Sequence, residues 1–139
     1  MNASEQQDHP YKELTEAIIA GAFRVSNTLG CGFLEKVYEN ALAAELRHRG
    51  LDVATQVPIR VVYREETVGD YQADMIVNCS VLVEVKATEA HHDIFMAQVL
   101  NYLRATKIPV GLLLNFGQPR LWYKRLVSSA DWLNAADET

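Results

Sequence analysis

Glu84-Val85-Lys86 sets an acid and a base two residues apart, and in an extended strand that spacing puts both on one face. Val83 and Val85 then point the other way, and Val81-Leu82-Val83 just upstream marks the strand as interior. An acid and a lysine there are costly unless they are paired or bound to something. A strand-end salt bridge emerging into solvent satisfies the same letters. Asp74 interrupts the run Tyr71–Val77, a neighbouring strand, so two carboxylates can approach one point. Oxygen-only ligation of that kind suits magnesium or manganese, and the set has no soft ligand that would favour zinc. Glu35 is a third acid, one turn before Tyr38 and two before Leu42, on the flank of an apolar helical stripe. Its plainer role is to favour a helix N-terminus after Gly32. Gln98 and Tyr102, four apart, share a helical face and can contact a phosphate, a water or a base, or simply pack.

The elements that must position these residues are legible from period and punctuation. Leu14, Ile18, Ala22, Val25 and Leu29 recur at helical spacing from about Tyr11 to Leu29, and Gly30-Cys31-Gly32 interrupts them. A second helix is predicted from about Leu34 to Arg49, closed by basic residues and Gly50. The period then changes to two. Val57, Ile59 and Val61 form a strand whose start Pro58 places at an edge, followed by strands over Tyr71–Val77 and Val81–Val85 joined by Asn78-Cys79-Ser80. A helix over His91–Thr106 carries Phe95, Val99 and Tyr102 in register. Val110–Phe116 reads as a strand buried on both faces, and Leu121–Leu126 as the last strand, with a short tail helical around Trp132. Helix, helix, three strands, helix, two strands implies a mixed sheet with helices packed on it.

Composition narrows the class less than the motifs do. The 139 residues suffice for one domain that buries roughly 68–70% of its unfolded surface without metals or disulfides. Thirteen Lys and Arg against 18 Asp and Glu give a net charge of −5, which argues against a general nucleic-acid coat protein. An enzyme with a carboxylate cluster and local phosphate contacts is compatible with it. Cys31 and Cys79 stand outside any CxxC pair and read as free thiols of a reducing cytosol. The N-terminus lacks the apolar centre of a secretory signal, and no apolar run approaches a membrane span.

Taken in order, these residues resemble the PD-(D/E)XK nuclease superfamily and, within it, the small family named for a GxxExxY motif. Gly32-Phe33-Leu34-Glu35-Lys36-Val37-Tyr38 fits that motif, and Glu84-Val85-Lys86 fits the acid-x-lysine element. Asp74 takes the place of the first strand acid, with Ala73 where the superfamily's name has proline. Gln98 to Tyr102 fits the QxxxY motif of exonuclease branches, and Asn101-Tyr102-Leu103 and Gly111–Gly117 also look like the family. The resemblance runs from roughly Glu13 to Val127. It implies a three-layer α/β/α, restriction-endonuclease-like core with a mixed central sheet over residues 11–127, between tails at 1–10 and 128–139.

By the same resemblance the chain is expected to be a Mg²⁺- or Mn²⁺-dependent nuclease, cytoplasmic, acting on nucleic acid with DNA as the expected polymer, as a dimer or within a complex. Asp74, Glu84, Glu35 and the backbone carbonyl of Val85 are the expected metal ligands, with Lys86 orienting a water or stabilising charge. Gln98, Tyr102, Tyr38 and Arg104 are expected to face the substrate. Lys107, Arg120, Lys124 and Arg125 are further phosphate contacts or solvated surface. His91 and His92 are metal-proximal or polar helix-start residues, and Trp122 and Tyr123 stack on bases or pack in the core. A non-cleaving nucleic-acid-binding or assembly module with the same fold is the competing reading, favoured by the acidic balance. An enzyme of another phosphorylated substrate is the third.

Overall fold

The computed structural model describes residues 11–89 and 92–128. The expected tails at 1–10 and from 129 onward, with His91 and Trp132, lie outside those residues. Helix α1 (Lys12–Leu29) and helix α2 (Glu35–His48) come first, then strands β1 (Val53–Tyr63), β2 (Glu66–Val77) and β3 (Val81–Lys86). Helix α3 (Asp93–Thr106), β4 (Val110–Asn115) and β5 (Trp122–Val127) follow. The five strands form one sheet in sequence order. Every neighbouring pair is antiparallel except β3–β4, the parallel pair that α3 connects. The sheet is therefore mixed, as expected.

Alternation along the strands divides the core into two. Val81, Val83 and Val85 of β3, with Val110, Leu112 and Leu114 of β4, pack under α1 and α2 through Ile18, Ala22, Leu42 and Leu46. Leu82 and Leu113 face the other way, against Val99, Tyr102 and Leu103 of α3. Gly111 lets α3 lie close, since a Cβ there would stand 2.8 Å from Val99 Cγ1. The result is the expected three-layer α/β/α sandwich. Among the described residues no helix is long and apolar enough to cross a membrane.

Two strands differ from the sequence expectation. β1 begins at Val53, so Pro58 lies within it rather than at its start. It is tolerated because β1 is the outermost strand, where a missing N–H costs least. β2 begins at Glu66, five residues earlier than periodicity suggested. A two-residue turn at Arg64-Glu65 joins it to β1, both residues at positive φ (49° and 68°). That is the backbone of a tight hairpin turn, made without the Asn-Gly signal by which such turns are recognised.

Candidate active site

The site begins where the sheet opens. β2 pairs with β3 only through Met75, Ile76 and Val77, opposite Val83, Leu82 and Val81. Glu84–Lys86 keep their parallel partners Leu113–Asn115 on β4 and have no β2 ladder on the other side. Two carboxylates replace the missing ladder. Asp74 Oδ2 accepts from the Val85 amide at 2.7 Å, and Glu84 Oε1 accepts from the Asp74 amide at 3.0 Å. Each acid thus satisfies a backbone donor orphaned by the divergence, which explains how two carboxylates are held side by side in a sheet interior.

That proximity has an electrostatic consequence. Glu84 is only 4% exposed, and burial, reinforced by the charge of Asp74, pushes its pKa up to about 8. The Asp74 amide and Lys86 oppose the rise without cancelling it. Asp74 is also raised, by burial first, against the stabilising bond from Val85. Two adjacent buried carboxylates do not both ionise readily, so at neutral pH the pair retains a proton.

Lys86 shares the face of Glu84, and its ammonium lies over the Phe95 ring of α3, 4.8 Å from the centroid. Among the described residues no carboxylate lies within 4.0 Å of it. It nonetheless lowers the pKa of Glu35, Asp74 and Glu84 through its field. Glu35 opens α2 and its side chain is exposed. Partial burial of the carboxyl raises its pKa, with Lys86 opposing and Asp74 and Glu39 adding to the rise.

Glu39 and Gln56 belong to this cluster and sequence reading did not single them out. Glu39, one turn after Glu35, is 4% exposed and accepts from the Gln56 side-chain amide and from Lys36 Nζ at 3.3 Å. Gln56 sits between the Thr55↔Met75 and Val57↔Ala73 pairs, opposite Asp74, with φ at 49°. A non-glycine residue in left-handed conformation inside a strand is a strained position held by its surroundings. The i, i+4 spacing of Glu35 and Glu39 was a usable signal for the acid. Gln56, a polar residue of an edge strand, carried none.

Tyr102 of α3 is 7% exposed, hydrogen-bonds with the Gln98 side chain, and has its pKa raised by burial and then by the charge of Glu84. The Tyr102 hydroxyl is therefore close enough to the carboxylates to feel their charge. Arg104 lines a groove that starts at the Gln98–Tyr102 pair. Tyr38 requires a correction. Its ring has no exposed surface, stacks on Phe116 at 4.9 Å, and its hydroxyl donates to Gly30 O and accepts from the Phe33 amide. It pins the glycine loop that starts α2 and does not face a substrate. Val85 enters the site through its amide, with its side chain in the core.

His92 stacks on Trp122 at 3.6 Å and its Nε2 lies 2.9 Å from Asn115 Nδ2. Asn115, 1% exposed, also bonds both backbone groups of Thr88 and the Gly117 amide. This knot fastens the loop that leaves Lys86 to the end of β4.

The donor chemistry of the Asp74–Glu84 pair fits a hard divalent cation. Mg²⁺ characteristically takes one or two carboxylates and completes its shell with water and phosphate oxygens. Burial and mutual repulsion raise both carboxyl pKa values, so positive charge is favoured at the pair, and a cation can take the place of a proton there. Among the described residues no three His, Cys, Asp or Glu side chains assemble into a group that could hold a metal. The protein's contribution is thus the pair, with Glu35 near enough to act through charge.

The PD-(D/E)XK nuclease superfamily matches residues 12–126. No curated protein matches the chain. Among solved structures, the crystal structure of SSO0001 is similar with a TM-score of 0.52 at 18% identity, over 92% of this chain. This chain spans 65% of that one's length, and the likeness is one of fold. An alkaline exonuclease from Laribacter hongkongensis, LHK-Exo, gives a TM-score of 0.46 at 14% identity, over 89% of this chain and 87% of its own. The same enzyme in complex with dAMP gives the same score and coverage at 15% identity.

Proposed function

The chain belongs to the PD-(D/E)XK nuclease superfamily, and from that premise we propose that it is a Mg²⁺- or Mn²⁺-dependent nuclease of the GxxExxY group that hydrolyses phosphodiester bonds of DNA. The observation that carries this reading is the Asp74–Glu84 pair, held side by side by two bonds to backbone amides at the opening of the sheet. A bound divalent ion would supply Lewis-acid polarisation of the phosphodiester and acidify a water. In this reading Asp74 and Glu84 would hold the ion, the carbonyl of Val85 would add a donor, and Glu35 would contribute directly or through water. Lys86 stabilises charge on the phosphoryl group. Its resting place over Phe95 keeps the ammonium on the same face as Glu84 and clear of an ion pair that would neutralise it. Gln98 and Tyr102 orient the strand.

A non-cleaving module draws support from one observation: among the described residues, no third acid joins the pair closely enough to form a three-ligand metal group. One experiment separates the two. Labelled single- and double-stranded DNA and RNA are incubated with the protein in Mg²⁺, Mn²⁺ or EDTA, beside Asp74→Ala and Lys86→Ala. Metal-dependent cleavage abolished by both substitutions is the expected result. Binding without cleavage under either metal would refute the nuclease reading.

A further inference from the structure

A concave groove of about 920 Å³ runs between α3 and the β1–β2 hairpin, and the Gln98–Tyr102 pair lines it. Its helical wall is one stripe, Ile94, Ala97, Asn101 and Arg104, which spans about 15 Å at 1.5 Å per residue. Its strand wall holds Tyr71, 51% exposed, whose ring lies 5.7 Å from that of Tyr102. Gly69 leaves room for that ring, since a Cβ there would stand 3.1 Å from Tyr71 Cε2. Among the described residues, Arg60 and Arg104 line the groove beside apolar Val61, Val68 and Ile94, and no acidic residue does, although the whole chain carries a net charge of −5. Asp70, the cross-strand partner of Arg60, is not part of the lining.

We propose that this groove takes a single-stranded polynucleotide and delivers it to the Asp74–Glu84 pair, with a base stacked on Tyr71 and phosphates toward the arginines. The proposal rests on the nuclease reading and adds to it the form of the substrate. Single strands are held by positive charge along a groove together with aromatic rings on which bases stack, and this groove offers two arginines and the Tyr71 ring. Duplex readers work the other way, pushing a convex helix or ribbon into a groove about 12 Å wide. A cleft of this volume, within the range of about 300–1,000 Å³ that holds small ligands, is of a size for a few nucleotides. Tyr102 ties the groove to the chemistry, since the charges of Glu84 and Asp74 both act on its hydroxyl.

The test measures binding without turnover, by fluorescence anisotropy in EDTA. Labelled oligothymidine, oligouridine and a blunt duplex of equal length are compared for the wild type, Ala97→Glu, Tyr71→Ala and Asn27→Glu. Ala97→Glu sets a carboxylate in the groove at an exposed helical position, and Asn27→Glu adds the same charge to exposed α1. Single strands are expected to bind at least tenfold tighter than duplex. Ala97→Glu and Tyr71→Ala should each weaken single-strand binding by about tenfold, within the span of one stacked base, with melting temperatures unchanged. Asn27→Glu should bind like the wild type, and the two single-stranded probes report whether DNA or RNA is preferred. Equal affinity for duplex, or identical effects of Ala97→Glu and Asn27→Glu, overturns the groove proposal. The expected binding pattern with no hydrolysis in Mg²⁺ or Mn²⁺ would instead count against the nuclease reading and leave the groove standing.

Discussion

Replacing Glu84 by Gln should make the protein more stable at alkaline pH when no metal is bound. In the folded protein the Glu84 pKa is about 8, against an ordinary 4.5, because the carboxyl is buried beside Asp74. An acid with a raised pKa holds its proton more tightly when folded. Stability is therefore greatest below the unfolded pKa and falls as pH rises through the interval between the two values. With 1.36 kcal/mol per unit, the loss from about pH 5 to about pH 9 is roughly 4 kcal/mol. Glutamine keeps the acceptor that Glu84 Oε1 presents to the Asp74 amide, and its NH₂ can donate to Asp74 where the protonated acid would, without ever ionising. The variant should lack this pH-dependent loss. For a domain of this size the difference corresponds to something on the order of 10 °C in melting temperature at the alkaline end. Circular-dichroism melts in EDTA across that range, wild type against Glu84→Gln, measure it directly. Half the expected difference would still be resolved, which matters because the proton belongs to the Asp74–Glu84 pair as a unit. Parallel profiles, or a wild type that gains stability relative to the variant as pH rises, would refute the inference that the pair is protonated at neutrality.

Three further outcomes follow from the same geometry. Mg²⁺ or Mn²⁺ binding at neutral pH should release close to one proton from the wild type and none from Glu84→Gln, read by calorimetry in buffers of different ionisation enthalpy. Tyr38→Phe removes the donor to Gly30 O and the acceptor for the Phe33 amide, and should cost about 1–3 kcal/mol in urea unfolding. An unchanged midpoint would mean that the hydroxyl does not anchor the glycine loop. Gly117→Ala should be more damaging than an ordinary glycine replacement, since its Cβ would meet Thr88 N at 2.3 Å and Thr88 O at 2.6 Å, both backbone atoms. A loss of about 3 kcal/mol is expected, together with slower cleavage, because Thr88 lies two residues beyond Lys86.

Short-range spacing alone places several of the candidate site residues relative to one another. Two residues apart in a strand puts Glu84 and Lys86 on one face, and four apart in a helix aligns Gln98 with Tyr102. The order and period of the segments likewise implied a mixed sheet between helices, because each amphipathic segment has few ways to bury its apolar side. The parting of β2 from β3 beyond the Met75–Val83 pair could not be read this way, nor could the use of Asp74 and Glu84 as replacement acceptors for the lost ladder. The same holds for Tyr38, whose motif pointed toward a substrate while packing took it into the core against Phe116, and for Gln56 reaching Glu39 across the layers. These features depend on where strands diverge and which side chains meet across distant parts of the chain. Sequence fixes the period of each segment locally, whereas the partner of a buried polar group is chosen only when the layers close and every orphaned donor must find an acceptor.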